Sequence, residues 1–76
     1  MHQAPAEVVI VMFGGVRQLA KKLRRSHSSI VRWHMPVDEG GTGGRIPSKA
    51  VAELIALAAI EGKPLSPVDL VVGRDV

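Results

Sequence analysis

The side chains able to do chemistry in this chain are mainly cations, and most of them come before residue 36. Six cations stand in that half, namely Arg17, Lys21, Lys22, Arg24, Arg25 and Arg32. One acid accompanies them, so residues 1–35 carry a net charge of +5, whereas residues 36–76 carry four cations and six acids, a net charge of −2. Such a cluster either binds polyanions such as nucleic acids or forms an ordinary solvated surface. The structural elements that carry the cluster decide between these two roles.

Metal binding and catalysis find no support in the residue pattern. The three histidines, His2, His27 and His34, have no cysteine or acidic cluster at metal-ligand spacing. No nucleophile, base and orienting acid can be recognised together, because the acids are scattered in loops and at helix ends. We therefore expect no metal, no cofactor and no enzymatic activity, and no small-molecule ligand is evident.

The bulk composition indicates one small domain. A chain of 76 residues buries only about 60% of its unfolded surface, so self-association is expected to support it. No cysteine is present for a disulfide or a thiolate metal site. No apolar run exceeds seven residues, which is too short for a membrane span, and the N-terminal run, Val8–Phe13, is too short for a signal-peptide core. These features predict a cytoplasmic protein with no membrane partner.

A unit of two short helices carries most of the cations. Its apolar residues recur at helical spacing in two groups, Val16, Leu19, Ala20 and Leu23, followed by Ile30 and Trp33. Between the groups, Ser26 is a good N-cap for a helix that begins near His27, because its hydroxyl can accept from an unpaired amide. Two helices packed in this way around a tight turn predict a helix-turn-helix.

The segments LAKKL and SSIVRW, separated by a three-residue turn and His27, together resemble the motif of Cro-like and lambda-repressor-like transcription regulators. The small YdaS/Cro-like phage and prophage regulators are the most similar subgroup, and the resemblance is strongest over Phe13–Trp33 and weaker over Arg45–Leu70. Two positions depart from the family. Arg24 stands where the family has Gly at positive φ, which implies a strained or reshaped turn costing ~1 kcal/mol. Arg25 replaces an aliphatic core residue.

The resemblance also implies which side chains read DNA. If Ile30 and Trp33 face the core, the opposite side of the third helix faces outward. An Arg there can donate two hydrogen bonds to one guanine, and a Val can contact a thymine methyl group. The expected base contacts are His27, Ser28, Val31 and Arg32, with Ser29 contributing near the helix start.

A second set of residues is expected to contact phosphates. Some of these lie on or just after the second helix, and others flank the start of the fourth, where free amides can bind a phosphate. Each of these residues has an ordinary alternative role as solvated surface. The expected phosphate contacts are Arg17, Gln18, Lys22, Arg25, Arg45, Ser48 and Lys49.

Five helices are predicted along the chain. Pro5 suits the first position of the first helix, and Val8–Phe13 is interpreted as its continuation although its β-branched residues also favour a strand. Phe13 is expected in the core. Gly14 and Gly15 end this helix. The second and third helices are expected over about 16–24 and 27–35. The fourth is expected to begin at Pro47 and stop at Gly62, and the fifth to run from the Ser66 cap to about Val72.

Loops and tails separate these helices. Residues 37–44 contain four glycines in five positions and are predicted to form a flexible linker or wing-like loop. A phosphate-binding loop is the alternative, but the GxxxxGK[ST] pattern is missing. Residues 1–4 and 73–76 are expected to be flexible tails. In the fourth helix, Val51, Leu54, Ile55 and Ala58 form a stripe that Leu57 and Ile60 widen, which predicts burial on more than one side.

The sequence therefore predicts an all-α, lambda-repressor-like domain over residues 1–76. Its expected function is sequence-specific binding of double-stranded DNA as a homodimer, with the third helix in the major groove. The expected role is a nucleoid-associated transcription regulator, most simply a repressor. The alternative is a protein-interaction module, such as an antitoxin or adaptor, that binds its partner through the Val51–Ile60 helix. The charge distribution favours DNA.

Overall fold

The computed structural model describes residues 1–75 and contains five α-helices with a small antiparallel strand pair. The all-α prediction is confirmed. A 3-10 helix, Val37–Glu39, follows the third α-helix. The α-helices are α1 (Pro5–Met12), α2 (Val16–Leu23), α3 (His27–His34), α4 (Ser48–Glu61) and α5 (Asp69–Val72).

Helix α1 forms from a segment whose β-branched residues also favour a strand. Pro5 occupies its first turn, and Glu7 stands near the positive end of the helix dipole. Val9 and Phe13 are buried in the core shared by the helices, so the prediction that Phe13 is a core residue is confirmed. Tertiary burial of the apolar face outweighs the weak local preference of valine and isoleucine for a strand.

Helices α2 and α3 each end one residue earlier than the sequence predicts. Arg24 lies in the left-handed region, with φ of 56° and ψ of 41°, and caps α2 instead of extending it. Met35 is extended, with ψ of 148°, because the following Pro36 disfavours helical backbone at the preceding residue. The Ser26 cap is confirmed: its hydroxyl accepts from the Ser29 amide at 3.2 Å.

The glycine-rich loop over residues 37–44, predicted to be a flexible linker or wing-like loop, lies against α3 and is hydrogen-bonded to it. The amides of Thr42, Gly43 and Gly44 donate to the carbonyls of Arg32, Met35 and Trp33 at 2.8, 2.8 and 2.7 Å, respectively. The Thr42 hydroxyl also lies 2.8 Å from the Trp33 carbonyl oxygen. These bonds satisfy carbonyls that the end of α3 would otherwise leave unpaired. The glycines therefore allow a close backbone approach.

Helix α4 crosses the core with one face. Ala50, Leu54 and Ala58 are buried at intervals of four residues, whereas Ile60 is 81% exposed. The helix begins at Ser48, one residue after the expected Pro47, and Gly62 ends it in the left-handed region as predicted. The predicted burial on more than one side is thus incomplete, because the last turn leaves Ile60 in solvent.

Two-residue strands near the two termini pair with each other, within the segments 1–4 and 73–76 that are predicted to be flexible tails. Strand β1 (His2–Gln3) runs antiparallel to β2 (Arg74–Asp75), with His2 opposite Asp75 and Gln3 opposite Arg74. Gly73 allows this approach, since a Cβ there would lie 2.0 Å from the Gln3 carbonyl oxygen. Val76, the last residue of the predicted tail, lies outside the described residues.

Hydrogen bonds to Asp69 connect the C-terminal strand to the last helix. The Ser66 amide donates to the Asp69 carboxylate at 3.0 Å and the Asp69 amide donates to the Ser66 hydroxyl at 3.4 Å, a reciprocal pair of bonds in the turn before α5, which begins at Asp69 and so later than the expected start at the Ser66 cap. The Arg74 guanidinium also donates to this carboxylate and, at 2.8 Å, to the Pro64 carbonyl. Hydrogen bonds from Arg74 and the Ser66 amide lower the pKa of Asp69 from its ordinary 3.8 to about 2.

Acid is therefore expected to weaken this attachment. Because the pKa of Asp69 is lower in the folded chain, its ionised form stabilises the fold above about pH 4, and this contribution is lost as the pH falls toward 2. Asp69→Asn should flatten the fall in unfolding free energy between pH 4 and 2. Urea titrations at four pH values measure the unfolding free energy of this variant and of the wild-type chain, with Asp38→Asn as the control. An unchanged acid dependence in Asp69→Asn would contradict the assignment.

Candidate nucleic-acid interface

The turn between α2 and α3 has the hydrogen bonds of a tight helix end, formed without glycine. The Arg25 amide donates to the Ala20 carbonyl at 2.9 Å, and the Arg24 amide donates to the Lys21 carbonyl at 3.3 Å. Arg24 is the one non-glycine residue with positive φ within residues 1–75. Ala20 is 5% exposed where the two helices approach each other. The turn keeps its shape although its central residue has a Cβ.

Replacing Arg24 with glycine is therefore expected to stabilise the fold. The left-handed conformation costs a non-glycine residue ~1 kcal/mol, and glycine removes most of this cost. Arg24→Gly should raise the unfolding free energy by roughly 0.5–1 kcal/mol in urea denaturation. Arg24→Ala removes the same charge and keeps the Cβ, so it should bring no gain. Equal stability of the two variants would show that the backbone conformation carries no strain.

Three contacts fix α3 on the domain: a buried apolar side, the Ser26 cap and the glycine-rich loop. Ile30 is fully buried and Trp33 is 3% exposed, both in the main core. The opposite side of α3 presents the predicted base contacts to solvent. His27, Ser28 and Arg32 are exposed, and Ser29 and Val31 are half-buried. The structure thus places all five predicted base contacts on the surface of one helix.

The hydrogen-bonding groups on this surface differ in availability. Arg32 forms no side-chain hydrogen bond or ion pair with another described residue, so its guanidinium is free to donate two bonds. It lines a surface depression with Ser29, Thr42 and Pro47, between α3, the loop and the start of α4. The Ser29 hydroxyl is 2.9 Å from that of Ser26 and so belongs to the helix cap as much as to the surface.

Five of the seven predicted phosphate contacts have polar groups open to solvent. Arg17 and Gln18 are exposed on the first turn of α2. Arg45 and Ser48 line one surface cavity at the start of α4, and Lys49 is exposed beside them. No side-chain partner among residues 1–75 holds Arg17, Arg45 or Lys49. These groups are available to an incoming anion.

The other two predicted phosphate contacts are engaged by acids of α4. Lys22 Nζ lies 2.7 Å from a carboxylate oxygen of Glu61, and Arg25 Nη2 lies 2.6 Å from one of Glu53. The Arg25 guanidinium also sits 5.9 Å from the centre of the Trp33 ring, within cation–π range. Sequence reasoning missed both acids; the available signal was a pair of glutamates eight residues apart on a helix whose other residues between 50 and 60 are apolar.

Arg25 lies beside the buried Trp33 ring. Its side chain is 29% exposed, and its Nε is buried without a hydrogen-bond partner. Its head group pairs with Glu53 and lies within cation–π range of the Trp33 ring, so both the carboxylate and the ring stabilise this partly buried cation.

Other kinds of site are sparse in the part of the chain that the structure describes. No three histidine, aspartate or glutamate side chains within residues 1–75 converge as metal ligands. Among the same residues, no helix has the length and apolarity required to cross a bilayer. A separate apolar groove lies between α2 and α4 and includes Leu23, Leu57 and Ile60.

Comparison with protein-family models, curated proteins and solved structures finds no match to this chain.

Proposed function

We propose that this chain binds double-stranded DNA sequence-specifically and regulates transcription, with α3 in the major groove. The observation that carries the proposal is the exposed polar side of α3, held by a helix-turn-helix and displaying an unpaired Arg32. Such a helix fits the major groove, where side chains meet base edges. The resemblance to lambda-repressor-like regulators points the same way. Repression by occluding a promoter is the simplest mechanism, acting on the nucleoid in the cytoplasm.

A homodimer is part of this proposal. One eight-residue helix reads only a few base pairs, so two copies on neighbouring half-sites would provide enough contacts for specificity. Selection of bound sequences from random duplex DNA tests both points. We expect an enriched motif with two related halves about one helical turn apart. Recovery of unenriched DNA would contradict specific recognition, and an enriched single asymmetric site bound by one protomer would contradict the dimer.

Salt is expected to weaken DNA binding with a slope that the free cations determine. Each neutralised phosphate contributes about −0.9 to the slope of log affinity against log salt. The predicted phosphate set contains three unpaired cations, Arg17, Arg45 and Lys49. Together they should give a slope of about −3 per protomer. Fluorescence anisotropy with a labelled duplex between 50 and 200 mM KCl measures the slope. A flat titration would count against the DNA proposal.

A second candidate function has one observation in its favour. The apolar groove between α2 and α4 ends at Ile60, which is 81% exposed, and such a surface suits a protein partner. In this alternative the domain is an antitoxin or adaptor, and binding would be insensitive to salt. Ile60→Asp should then abolish partner binding while leaving the DNA affinity unchanged. The excess of cations near α3 favours DNA as the first proposal.

A further inference from the structure

The pairing of Lys22 with Glu61 joins the helix-turn-helix to the last turn of α4. The contact is 2.7 Å long and links residues 39 positions apart in the sequence. The Lys22 side chain is 32% exposed and that of Glu61 is 25% exposed. Lys22 lines the groove between α2 and α4 together with Leu23 and Leu57. The contact with Glu61 therefore holds this cation against α4.

We propose that Glu61 is an intramolecular competitor of DNA phosphate, which holds Lys22 back from the backbone and so limits the affinity of the domain. This inference rests on the proposed function. A carboxylate and a phosphate oxygen compete for the same ammonium donors, since both are anionic acceptors. By occupying Lys22, Glu61 removes one phosphate contact per protomer from a domain in which Arg17, Arg45 and Lys49 have no side-chain partner among the described residues. Affinity for DNA of every sequence is lowered equally.

The neighbouring pair, Arg25 with Glu53, provides an internal comparison. Arg25 has a second anchor, the Trp33 ring at 5.9 Å from its guanidinium carbon. Its planar head group stays on that ring when the carboxylate is neutralised, whereas the lysine head moves freely on a flexible stem. Removing the charge of Glu53 should therefore release its cation less completely than removing the charge of Glu61.

The test measures salt dependence in three variants that each remove one negative charge. Glu61→Gln should steepen the log–log slope by up to about 0.9 per protomer and tighten binding roughly twofold to fivefold at 0.1 M salt. The gain should be equal on the selected duplex and on a scrambled one. Glu39→Gln is the control for net charge, since Glu39 is exposed beyond α3 and has no side-chain partner among the described residues. The salt slope of Glu53→Gln should lie between the slopes of Glu39→Gln and Glu61→Gln.

Lys22 itself supplies a second measurement that does not depend on Glu61→Gln folding. Because Lys22 is withheld from DNA, Lys22→Ala alone should leave the salt slope unchanged, and in that background Glu61→Gln should no longer steepen it. Thermal melts confirm that each variant is folded. A salt slope that becomes shallower by about 0.9 per protomer in Lys22→Ala would overturn the inference, because Lys22 would then already contact phosphate in the wild-type chain.

The remaining outcomes separate this inference from the proposed function. If the wild-type chain binds no duplex at 50 mM salt, the proposed function fails and this inference with it. If the wild-type chain binds DNA with a salt-dependent affinity but Glu61→Gln behaves like Glu39→Gln, only the inference fails. If Glu53→Gln steepens the slope as much as Glu61→Gln, Trp33 does not retain Arg25 and the contrast between the two pairs is wrong.

Discussion

Replacing Arg32 with alanine is expected to lower affinity for the selected DNA site by about 1–3 kcal/mol and to relax base preference at one position per half-site. Arg32 is exposed on α3, opposite Ile30 and Trp33, and has no internal partner in the described residues. Its guanidinium can donate to O6 and N7 of one guanine, which no other base presents in that geometry. The fold should survive, because the side chain lies outside the core.

The matched control is Arg17→Ala, which removes the same type of side chain from the first turn of α2. Arg17 is assigned to the phosphate backbone, so its loss should weaken selected and scrambled duplexes alike and reduce the salt slope by about one per protomer. Binding curves for both variants on both duplexes at two salt concentrations separate the roles. If Arg32→Ala lowers affinity for the two duplexes equally, Arg32 does not read a base.

Replacing Gly41 with alanine is expected to destabilise the domain by about 2–3 kcal/mol, the upper part of the range for inserting a methyl group into packed structure. A Cβ at Gly41 would lie 2.2 Å from the Met35 carbonyl oxygen, and this contact is with backbone, which no rotamer change can relieve. The loop would have to move away from α3 and lose the amide bonds that hold its last turn. Urea denaturation measures the loss.

Gly62→Ala distinguishes this close approach from ordinary glycine strain. Gly62 has φ of 67° with open space around its Cβ position, so alanine there should cost only about 1 kcal/mol. Gly41→Ala should in addition weaken DNA binding under conditions where the chain is folded, because it frees the C-terminal end of α3. Equal destabilisation by the two substitutions, with DNA affinity unchanged, would contradict the role assigned to the loop.

Elements that depend on neighbouring residues were predictable from the residue pattern alone. Apolar spacing located α2 and α3, the Ser26 hydroxyl located the start of α3, and Ser66 with Asp69 located the start of the last turn-and-helix segment. These features involve contacts within about four positions, so their energies can be read from a short window. The same periodicity, with Ile30 and Trp33 facing the core, predicts that His27, Ser28, Val31 and Arg32 face outward, and their assignment as base contacts comes from the resemblance and stays a prediction.

Contacts between distant segments set which cations are free and where the loop and the termini lie, and the residue pattern did not predict them. Lys22 and Arg25 meet acids that are 39 and 28 residues away, and the His2–Asp75 contact spans 73 residues. The glycine-rich loop has the composition of a flexible linker, but its amides find carbonyl partners on α3 once the chain closes. Such pairings depend on where distant segments meet in space, and local propensity carries no information about that distance.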